Sequence, residues 1–440
     1  MKKTILIILL ASGTMVFAQR EAYVVNAFAE TLSKIDLETG SVENHIMNLG
    51  DVPNQAIFHD GYLYVVNSVS ADVMKIDPAS RQVVADIYLP IGSNPYYASV
   101  SDDYCFVTGF VSGAVYRIDL LTNTVDDQIE LGEYPEGILY DNGYVYVTQT
   151  AFNPDDFSYG QGKITVLNAL TLANEGQFNI GRNPQWISRA RDGRLHIVCT
   201  GSYAEMSGSV YIFDPVSRVI EDSILIGGQP ANLAISPLGL GYLAAGGWFD
   251  RGLVYAYDVE TGDIINGSDN PIYAGLGVTC VAVDSLGYLY TCDMGDDTVT
   301  KLSPSGNYIG EYAVGDGPIF MVIVDDAIVG VDPENENHSP DKMAILDNFP
   351  NPFNGGTIIR YRISPDDIRP VTIEIYDCLG RLIKFLVPGT VGTSGSVHWD
   401  GSDNAGRDCA SGLYFARIQN GSKKAPGVDS EEGQKMLMIK

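Results

Sequence analysis

The chain has 440 residues, of which 45% are hydrophobic and 19% are charged, so it can bury more than one core and global disorder is excluded. A formal net charge of −28 argues against nucleic acid or an anionic membrane as a partner, because both need a basic surface. Solubility and cation binding are the two uses of this charge that we consider.

Residues 1–18 have the pattern of a secretory signal peptide. Lys2 and Lys3 precede a short apolar run at 5–10, and small or apolar residues precede a cleavage point after Ala18. The apolar run is too short to be a transmembrane span, and no later stretch is long enough. We therefore expect this segment to be removed during export and the mature chain to lack a transmembrane span.

A repeated unit fills the middle of the chain. Its clearest copy occupies residues 61–102 and contains four β-rich runs separated by glycine, proline or aspartate turns. One marker, the aspartate-like end of the second run, recurs at Asp36, Asp77, Asp119, Asn168, Asp214, Asp258 and Ser303. The other marker, a Gly-x-x-Pro-like turn, recurs at Pro53, Pro95, Pro135, Pro184, Pro230 and Pro318, with a copy that lacks proline at Val278. Each marker therefore counts seven units.

Seven units of four strands predict an all-β fold, a seven-bladed β-propeller over residues 19–331. A single four-stranded meander leaves both faces exposed, whereas seven packed around an axis bury these faces and leave only short edges. The first run of the mature chain, at 22–26, corresponds to the GYLYVVN run of the repeat, and the last, at 319–326, follows a proline turn. We therefore expect the last strand to complete the first blade and to close the ring.

Three segments carry a resemblance to a known propeller family: GYLYVVN (61–67), DYCFVTG (103–109) and NGYVYVTQT (142–150). They resemble the YVTN (YncE-like) β-propellers. The resemblance implies the propeller architecture and, for most members, a surface or exported binding protein. A minority of propellers are lyases, lactonases or dehydrogenases, so the fold alone does not decide the function.

The C-terminal part of the chain has a different composition. Residues 332–343 are polar and rich in turn formers, which predicts a linker. Residues 344–440 contain strand-like runs with glycine turns, which predicts a β-sandwich. The motifs NFPNPF, IYDCLGR, WDG and SGLY occur there in this order. Together they resemble the C-terminal sorting domain of type IX secretion substrates, whose Ig-like fold also occurs in the flagellar hook-capping protein FlgD.

This second resemblance implies an export route. The chain would pass through the periplasm, and the type IX secretion machinery would be the partner that reads the folded tail at the outer membrane. The passenger would then be released or attached, so the expected localisation is extracellular or on the outer-membrane surface. A spacer or adhesion module is the alternative interpretation of the tail.

Six cysteines remain in a chain whose expected compartment permits disulfides. Two pairings are candidates: Cys280 with Cys292, which flank a tight turn, and Cys378 with Cys409, which both lie in the tail. Buried free thiols are the alternative, and no pair has the Cys-x-x-Cys spacing of a zinc site.

A candidate binding site lies on one rim of the predicted propeller. Three long loops, at 148–162, 200–209 and 245–252, share this rim with the proline turns and belong to adjacent blades. Exposed aromatic rings with a few polar groups suit a glycan, a peptide or a protein partner. The candidate residues are Tyr96, Tyr97, Glu136, Phe157, Tyr159, Gln185, Trp186, Tyr203, Asn232, Trp248, Phe249 and Phe320. Packing of the loops against the blades is the alternative role of these side chains.

The sequence assigns no catalytic residue and no metal ligand. The histidines fall on different predicted elements, and nucleophile-elbow, zinc-protease and phosphate-loop motifs do not occur. Calcium is kept as a weaker candidate cofactor because aspartates in turns supply oxygen ligands at Asp155 and Asp156, at Asp293, Asp296 and Asp297, and at Asp403. Aspartate is also an ordinary turn residue, and no other cofactor is expected.

Three functions remain, in order of preference. The first is an exported binding protein that uses the aromatic rim. The second is a hydrolase or lyase acting on an extracellular polymer or lactone, which needs acidic groups that converge in the channel. A lactonase-like metal there would need Glu, Asp or Asn on several inner strands at one level; only Glu136, Asn54 and Asn232 approach that pattern, and their levels differ. The third is a structural or adhesive surface component without a small ligand.

Overall fold

The computed structural model describes residues 20–203 and 207–325. In the C-terminal part it describes residues 344–349, 353, 356–362, 371–377, 381–386, 394–404, 406–407, 409–420 and 434–438. The predicted signal peptide, the predicted linker and Cys378 lie outside these residues. The chain divides into two compact units. Strands form the regular structure of the described residues, and no helix among them is long and apolar enough to cross a membrane.

Seven antiparallel sheets, the blades, form the first unit. The strands of blades 1 to 3 are β1 (Arg20–Asn26), β2 (Thr31–Asp36), β3 (Val42–Asn48), β4 (Pro53–His59), β5 (Tyr62–Asn67), β6 (Asp72–Asp77), β7 (Gln82–Tyr88), β8 (Pro95–Val100), β9 (Tyr104–Gly109), β10 (Ala114–Asp119) and β11 (Thr124–Glu130). Those of blades 4 and 5 are β12 (Pro135–Asp141), β13 (Tyr144–Gln149), the separate hairpin β14 (Phe152–Asn153) and β15 (Ser158–Tyr159), β16 (Lys163–Asn168), β17 (Asn174–Asn179), β18 (Pro184–Arg189), β19 (Leu195–Cys199), β20 (Ser209–Asp214) and β21 (Val219–Leu225). Blades 6 and 7 and the end of the unit contain β22 (Leu233–Ile235), β23 (Leu240–Ala244), β24 (Gly252–Asp258), β25 (Ile264–Asn266), β26 (Ile272–Ala274), β27 (Val278–Val283), β28 (Leu289–Asp293), β29 (Thr298–Leu302), β30 (Tyr308–Ala313) and β31 (Pro318–Asp325).

In each blade one strand lies innermost, beside its counterparts in the neighbouring blades, and three strands follow outward. We call these strands A to D. The A strand of blade 1 is β31, the last strand of the propeller. It pairs with β1, with Val322 opposite Tyr23. Both ends of the propeller segment therefore share one sheet, as the phase of the repeat predicts.

Blade 6 departs from the four-strand pattern of the repeat. Its D strand is split into β25 and β26, which both pair with β24. The turn at 267–271 separates the two pieces: the Gly267 amide donates to the Asn270 side chain. Pro271 follows and has no amide hydrogen to offer to a sheet, which explains the break.

The apolar core lies in layers between adjacent blades. Strand B of blade 2, β5, is buried along most of its length, whereas strand D of the same blade, β7, is mostly exposed. Val66 of β5 belongs to a buried cluster that also contains Val107 of the next blade. Inner strands bury both faces against neighbouring blades, which explains why the GYLYVVN-type runs are almost continuously apolar.

Hydrogen bonds from hydroxyl groups connect the inner parts of neighbouring blades. A serine or threonine of one blade donates to a backbone carbonyl at the proline turn of the next: Ser68 to Pro95 (2.7 Å), Thr108 to Glu136 (2.8 Å), Thr200 to Pro230 (2.7 Å) and Thr279 to Pro318 (3.2 Å). Inner-edge carbonyls have no further strand to pair with, so these bonds satisfy them.

The second unit is a sandwich of two antiparallel sheets. Its strands are β32 (Ala344–Phe349), β33 (Thr357–Arg362), β34 (Val371–Asp377), β35 (Leu382–Leu386), β36 (Ser394–Trp399), β37 (Gly412–Asn420) and β38 (Gln434–Met438). The sheet orders are β32-β33-β36 and β35-β34-β37-β38. Trp399 is fully buried between Phe353 and Tyr414, and its indole nitrogen donates to the Ser402 carbonyl at 2.9 Å. The predicted Ig-like sandwich is therefore present.

Candidate functional site

The A strands surround the central channel of the propeller, and several of them begin with a β-bulge. We call the end of the channel at these strand starts its mouth. The register shifts just after the proline in β4, β8, β12 and β18, and a similar shift occurs at the start of β27. A β-bulge bends its strand and re-aims the side chains beside it. The residues that follow the proline turns therefore need not keep the strict alternation of a regular strand.

Three of the predicted rings meet at this mouth although they come from blades that are not neighbours. Trp186 of blade 5 lies 5.1 Å from Tyr97 of blade 3 and 5.6 Å from Phe320 of blade 1, measured between ring centroids. The indole nitrogen of Trp186 donates to the Ser188 hydroxyl at 3.0 Å. Contacts between blades that are not neighbours require the rings to extend towards the axis, so they fill part of the channel.

A chain of ring contacts continues from Tyr97 to the outer loops. Tyr96 contacts Tyr97 at 4.9 Å and Phe110 at 5.6 Å, and the chain ends where Tyr159 contacts Tyr203 at 5.9 Å. We call the whole set the aromatic mouth: Tyr96, Tyr97, Phe110, Tyr134, Phe152, Phe157, Tyr159, Trp186, Tyr203 and Phe320.

Three of these rings were not among the sequence candidates: Phe152, which lies in the long loop 148–162, and two rings from other loops. Phe110 directly follows strand B of blade 3, and Tyr134 directly precedes the proline of blade 4. Both loops are of ordinary length, so a search guided by long insertions passes over them. The position in the repeat would have identified them, since it places both loops on the same rim as the insertions.

Glu136 is the acidic residue of the aromatic mouth. The residue is 4% exposed, and its carboxyl group has no hydrogen-bond or ion-pair partner within the described part of the chain. Burial raises the pKa of Glu136 well above its usual range. Burial also raises the pKa of Tyr96, and the nearby Glu136 charge adds to this effect. Tyr96 and Tyr97 nevertheless keep part of their surface exposed, and we call the solvent-facing space beside them the recess of the mouth.

Polar groups border the same recess. The Gln185 side-chain oxygen lies 2.8 Å from the Thr200 hydroxyl, and its side-chain nitrogen lies 3.4 Å from the Tyr203 hydroxyl. Burial raises the pKa of Tyr159, which is close to both Tyr203 and Glu136. The recess therefore combines aromatic faces with an unpaired carboxyl group, an amide and hydroxyl groups.

Asn232 has a different environment. It is 4% exposed, and its side-chain oxygen accepts a hydrogen bond from the Val281 amide of the next blade at 2.9 Å. Gln55 makes the same kind of bond to the Ala98 amide at 2.7 Å. The Asn54 amide group is likewise bonded, to Ser68 and to the Pro95 carbonyl. These amides connect blades, which accounts for their presence without a ligand.

Trp248 and Phe249 line a separate recess on blade 6. It has a volume of about 470 Å³, and its lining residues are Gly247, Trp248, Phe249, Asp250, Arg251, Leu253 and Tyr273. Arg251 lies over the Tyr273 ring at 5.4 Å. Within the described residues no ring contact links Trp248 or Phe249 to the aromatic mouth. In the described residues the three long loops therefore do not make one continuous aromatic wall, because the rings of the mouth come from blades 1, 3, 4 and 5.

The two candidate disulfides have different outcomes. Cys280 and Cys292 lie directly opposite each other in paired strands, and both are buried free thiols in the structure. Burial raises the pKa of the Cys292 thiol well above its usual value. Their pairing remains a prediction. The Cys378–Cys409 pairing also stays a prediction, since Cys378 lies outside the described residues.

The aspartates proposed for calcium are engaged in other contacts. Both Asp293 oxygens accept hydrogen bonds from threonine hydroxyls, and Asp296 accepts one from the Leu276 amide at 2.6 Å. Asp156 accepts one from the Ser158 amide, and Asp403 pairs with Arg407. In the part of the chain that the structure describes, no group of three His, Cys, Asp or Glu side chains is placed to hold a metal ion.

Comparison with known proteins supports both units. Residues 347–426 match the model of the secretion system C-terminal sorting domain. No curated protein matches the chain. Among solved structures, a "putative 6-phosphogluconolactonase" from Bacteroides fragilis has 13% identity and a TM-score of 0.56 over 71% of this chain and 100% of its own.

Two further structures show the same fold. A second "putative 6-phosphogluconolactonase", from Bacteroides uniformis, has 12% identity and a TM-score of 0.56 over 70% of this chain and 100% of its own. The hydrazine synthase of Kuenenia stuttgartiensis has 14% identity and a TM-score of 0.52 over 62% of this chain and 95% of its own. At these identities the similarity concerns the fold alone. The chain is thus a seven-bladed β-propeller followed by a type IX secretion C-terminal sorting domain, which directs export to the cell surface or the extracellular space.

Proposed function

We propose that this protein is an exported binding protein that takes its ligand at the aromatic mouth of the propeller. One observation carries the proposal: the Glu136 carboxyl group is buried without a partner among the described residues, beside rings that remain partly exposed. A mostly buried carboxyl group without a protein partner is destabilising, and contact with a ligand is one explanation for its presence. A glycan, a peptide or a segment of a protein partner would supply the missing contacts.

The position of the site agrees with this role. The mouth is built from loops and strand starts on a rigid ring of blades, where binding residues are most often placed. The sorting domain delivers the protein to a space that contains polymers, peptides and other surface proteins. Tyr203 is 51% exposed and borders the recess, so it is accessible to a ligand that approaches from solvent.

A lactonase or another hydrolase is a less favoured alternative. Two of the structural neighbours are described as lactonases, but their identity of 12–13% carries only the fold. Of the three channel residues that came nearest to a metal site, Asn54 and Asn232 bond to neighbouring blades. Glu136 then has no second acidic group that the described contacts place beside it, and hydrolysis with two carboxylates needs a pair.

The proposal is tested by ligand-dependent stabilisation of the full chain. A panel of soluble oligosaccharides and short peptides is screened by thermal unfolding. A ligand at a hundred times its Kd stabilises the folded state by about 2.7 kcal/mol. We expect Tyr203→Ala to abolish the stabilisation and Tyr88→Ala, which removes an exposed ring from strand D of blade 2, to preserve it. A panel without any stabilising member, or equal behaviour of both variants, would reject the aromatic mouth as the binding site.

A further inference from the structure

We infer that the ligand of the aromatic mouth carries an organic ammonium group, held between the Glu136 carboxylate and the faces of the surrounding tyrosine and tryptophan rings. The inference rests on the proposed binding function and names its ligand class. An ammonium group on an alkyl stem, as in a lysine side chain or choline, carries the positive charge that this recess lacks. Its alkyl part has the apolar surface that aromatic rings accommodate.

The first step of the argument compares Glu136 with other buried acids of the propeller. Asp284 pairs with Arg20 at 3.0 Å, Glu21 pairs with Lys34, and Asp293 accepts hydrogen bonds from threonine hydroxyls. Each of these carboxylates thus has its charge balanced or its oxygens bonded within the chain. Glu136 has neither kind of partner among the described residues, so a cation from outside would fill a role that the protein fills itself elsewhere.

The second step concerns the rings. Elsewhere in the propeller, lysine or arginine groups lie over tyrosine rings: Lys75 over Tyr62 at 4.4 Å, Lys301 over Tyr288 at 4.5 Å and Arg117 over Tyr104 at 4.6 Å. No such cation lies over a ring of the aromatic mouth within the described residues. Aromatic faces attract cations strongly when water is excluded, so an ammonium group could contact these rings and the nearby Glu136 carboxylate together.

The third step separates this ligand from a neutral one. A sugar would stack on the same rings, but its hydroxyls carry no charge that would balance an ionised Glu136, whose charged form burial disfavours. An ammonium group meets both requirements at once, since it pairs with the carboxylate and contacts the ring faces. The net charge of −28 also raises the local concentration of cations around the protein, whatever their source.

The test compares charged and neutral probes of the same shape on the full chain by titration calorimetry. The probes are choline, n-butylammonium and 3,3-dimethylbutan-1-ol, which replaces the choline nitrogen by carbon. We expect at least one cation to bind at least tenfold more tightly than the neutral alcohol. Glu136→Gln removes the charge at constant size and is expected to weaken cation binding at least tenfold. Glu133→Gln, on an exposed residue of the same rim that pairs with Lys163, should leave binding unchanged.

The outcomes distinguish the inference from the function on which it rests. If the neutral alcohol binds as well as the cations, or if only oligosaccharides of the screening panel bind, the ammonium inference is wrong while the binding function stands. If neither the probes nor the panel bind, both fail. The comparison of choline with its neutral analogue uses the unaltered protein, so it stays decisive even where Glu136→Gln does not fold.

Discussion

Glycine residues at the start of strand C, or just before it, allow a very close approach between loops on the rim of the propeller. A Cβ atom added at Gly208 would lie 2.1 Å from the ring of Pro230, and one at Gly162 would lie 2.1 Å from the Gly181 carbonyl oxygen. At Gly252 the corresponding distance is 1.8 Å, to the Gly275 carbonyl oxygen. The same contact recurs in three consecutive blades, so the glycines fix the spacing between each B–C loop and the following turn.

We therefore predict that Gly208→Ala destabilises the propeller by about 1–3 kcal/mol, the usual effect of forcing an extra methyl group into a packed site. Gly310→Ala is the matched control, because nothing lies within 4 Å of a Cβ atom added there. Urea unfolding of both variants measures the difference. Equal stability of the two would show that the loop moves aside without loss of packing.

Asp293 is a buried carboxyl group whose environment opposes its charge. It is 0% exposed and accepts hydrogen bonds from Thr291 at 2.7 Å, Thr298 at 3.3 Å and Thr300 at 2.5 Å. Burial raises the pKa of Asp293 to about 6, although the three hydroxyl donors counteract the shift. The folded protein therefore binds this proton more tightly than the unfolded chain does.

The sign of the resulting pH dependence follows from linkage. A carboxyl group with a raised pKa in the folded state stabilises the fold at low pH, and this contribution is lost as the pH rises through the folded pKa. Between pH 5 and pH 7 the wild type should lose about 1 kcal/mol more stability than Asp293→Asn. Denaturant unfolding of both proteins at the two pH values measures this difference. A constant difference across this range would contradict the shift.

Individual roles in the mouth were only partly predictable from the sequence. The repeat placed Tyr97, Trp186 and Phe320 on one rim, and the structure brings these rings together. It could not separate Glu136 from Asn232, because both are polar residues that follow a proline turn. Which of them meets a backbone amide and which stays without a partner depends on the bulges and on contacts between blades.

At the scale of elements, the turns between strands C and D share one design. The Asp119 carboxylate accepts hydrogen bonds from the Leu121 amide at 2.9 Å and the Thr122 amide at 2.8 Å. Asn168 makes the same two bonds in the next blade, at 3.1 Å and 3.0 Å. Backbone hydrogen bonding lowers the pKa of Asp119, as expected for a carboxylate in such a turn.

The natural Asn168 turn shows that the charge is dispensable while the acceptor oxygen is needed. We predict that Asp119→Asn keeps the thermal midpoint of the propeller close to that of the wild type at pH 7, whereas Asp119→Ala lowers it by a small, measurable amount. Differential scanning calorimetry of the three proteins checks this. A drop of equal size in both variants would assign the effect to the carboxylate charge instead of the hydrogen bonds.

These turns also explain why the architecture could be predicted. The aspartate-like residue ends strand C, and the proline turn precedes strand A, so each blade carries two markers that local backbone chemistry demands. Blade 6 kept both markers, but its split D strand followed from Pro271 and the Asn270 turn, which the repeat count did not register.

At the scale of the whole molecule, closure of the ring depends on both ends of the propeller segment. Strand β31 pairs with β1. Arg20, at the start of β1, also forms ion pairs with acidic groups near this junction. Its guanidinium lies 3.0 Å from an Asp284 oxygen of blade 7, 3.3 Å from Glu38 and 3.8 Å from Asp325 at the end of β31. Arg20 is 9% exposed, so this cluster is shielded from solvent.

Removing Arg20 should therefore weaken the junction between the last blade and the first. Arg20→Ala leaves the buried carboxylates of Asp284 and Asp325 without this cation, and breaking a buried pair typically costs about 3–5 kcal/mol. Arg81→Ala removes an exposed pair with Glu43 and should cost about 1 kcal/mol or less. Urea unfolding of the full chain, followed by a signal from the propeller, compares the two. If Arg20→Ala lowers the free energy of unfolding no more than Arg81→Ala does, the pairing of β31 with β1 alone closes the ring. A larger loss of stability assigns part of the closure to the charges that connect both ends of the propeller segment with blade 7.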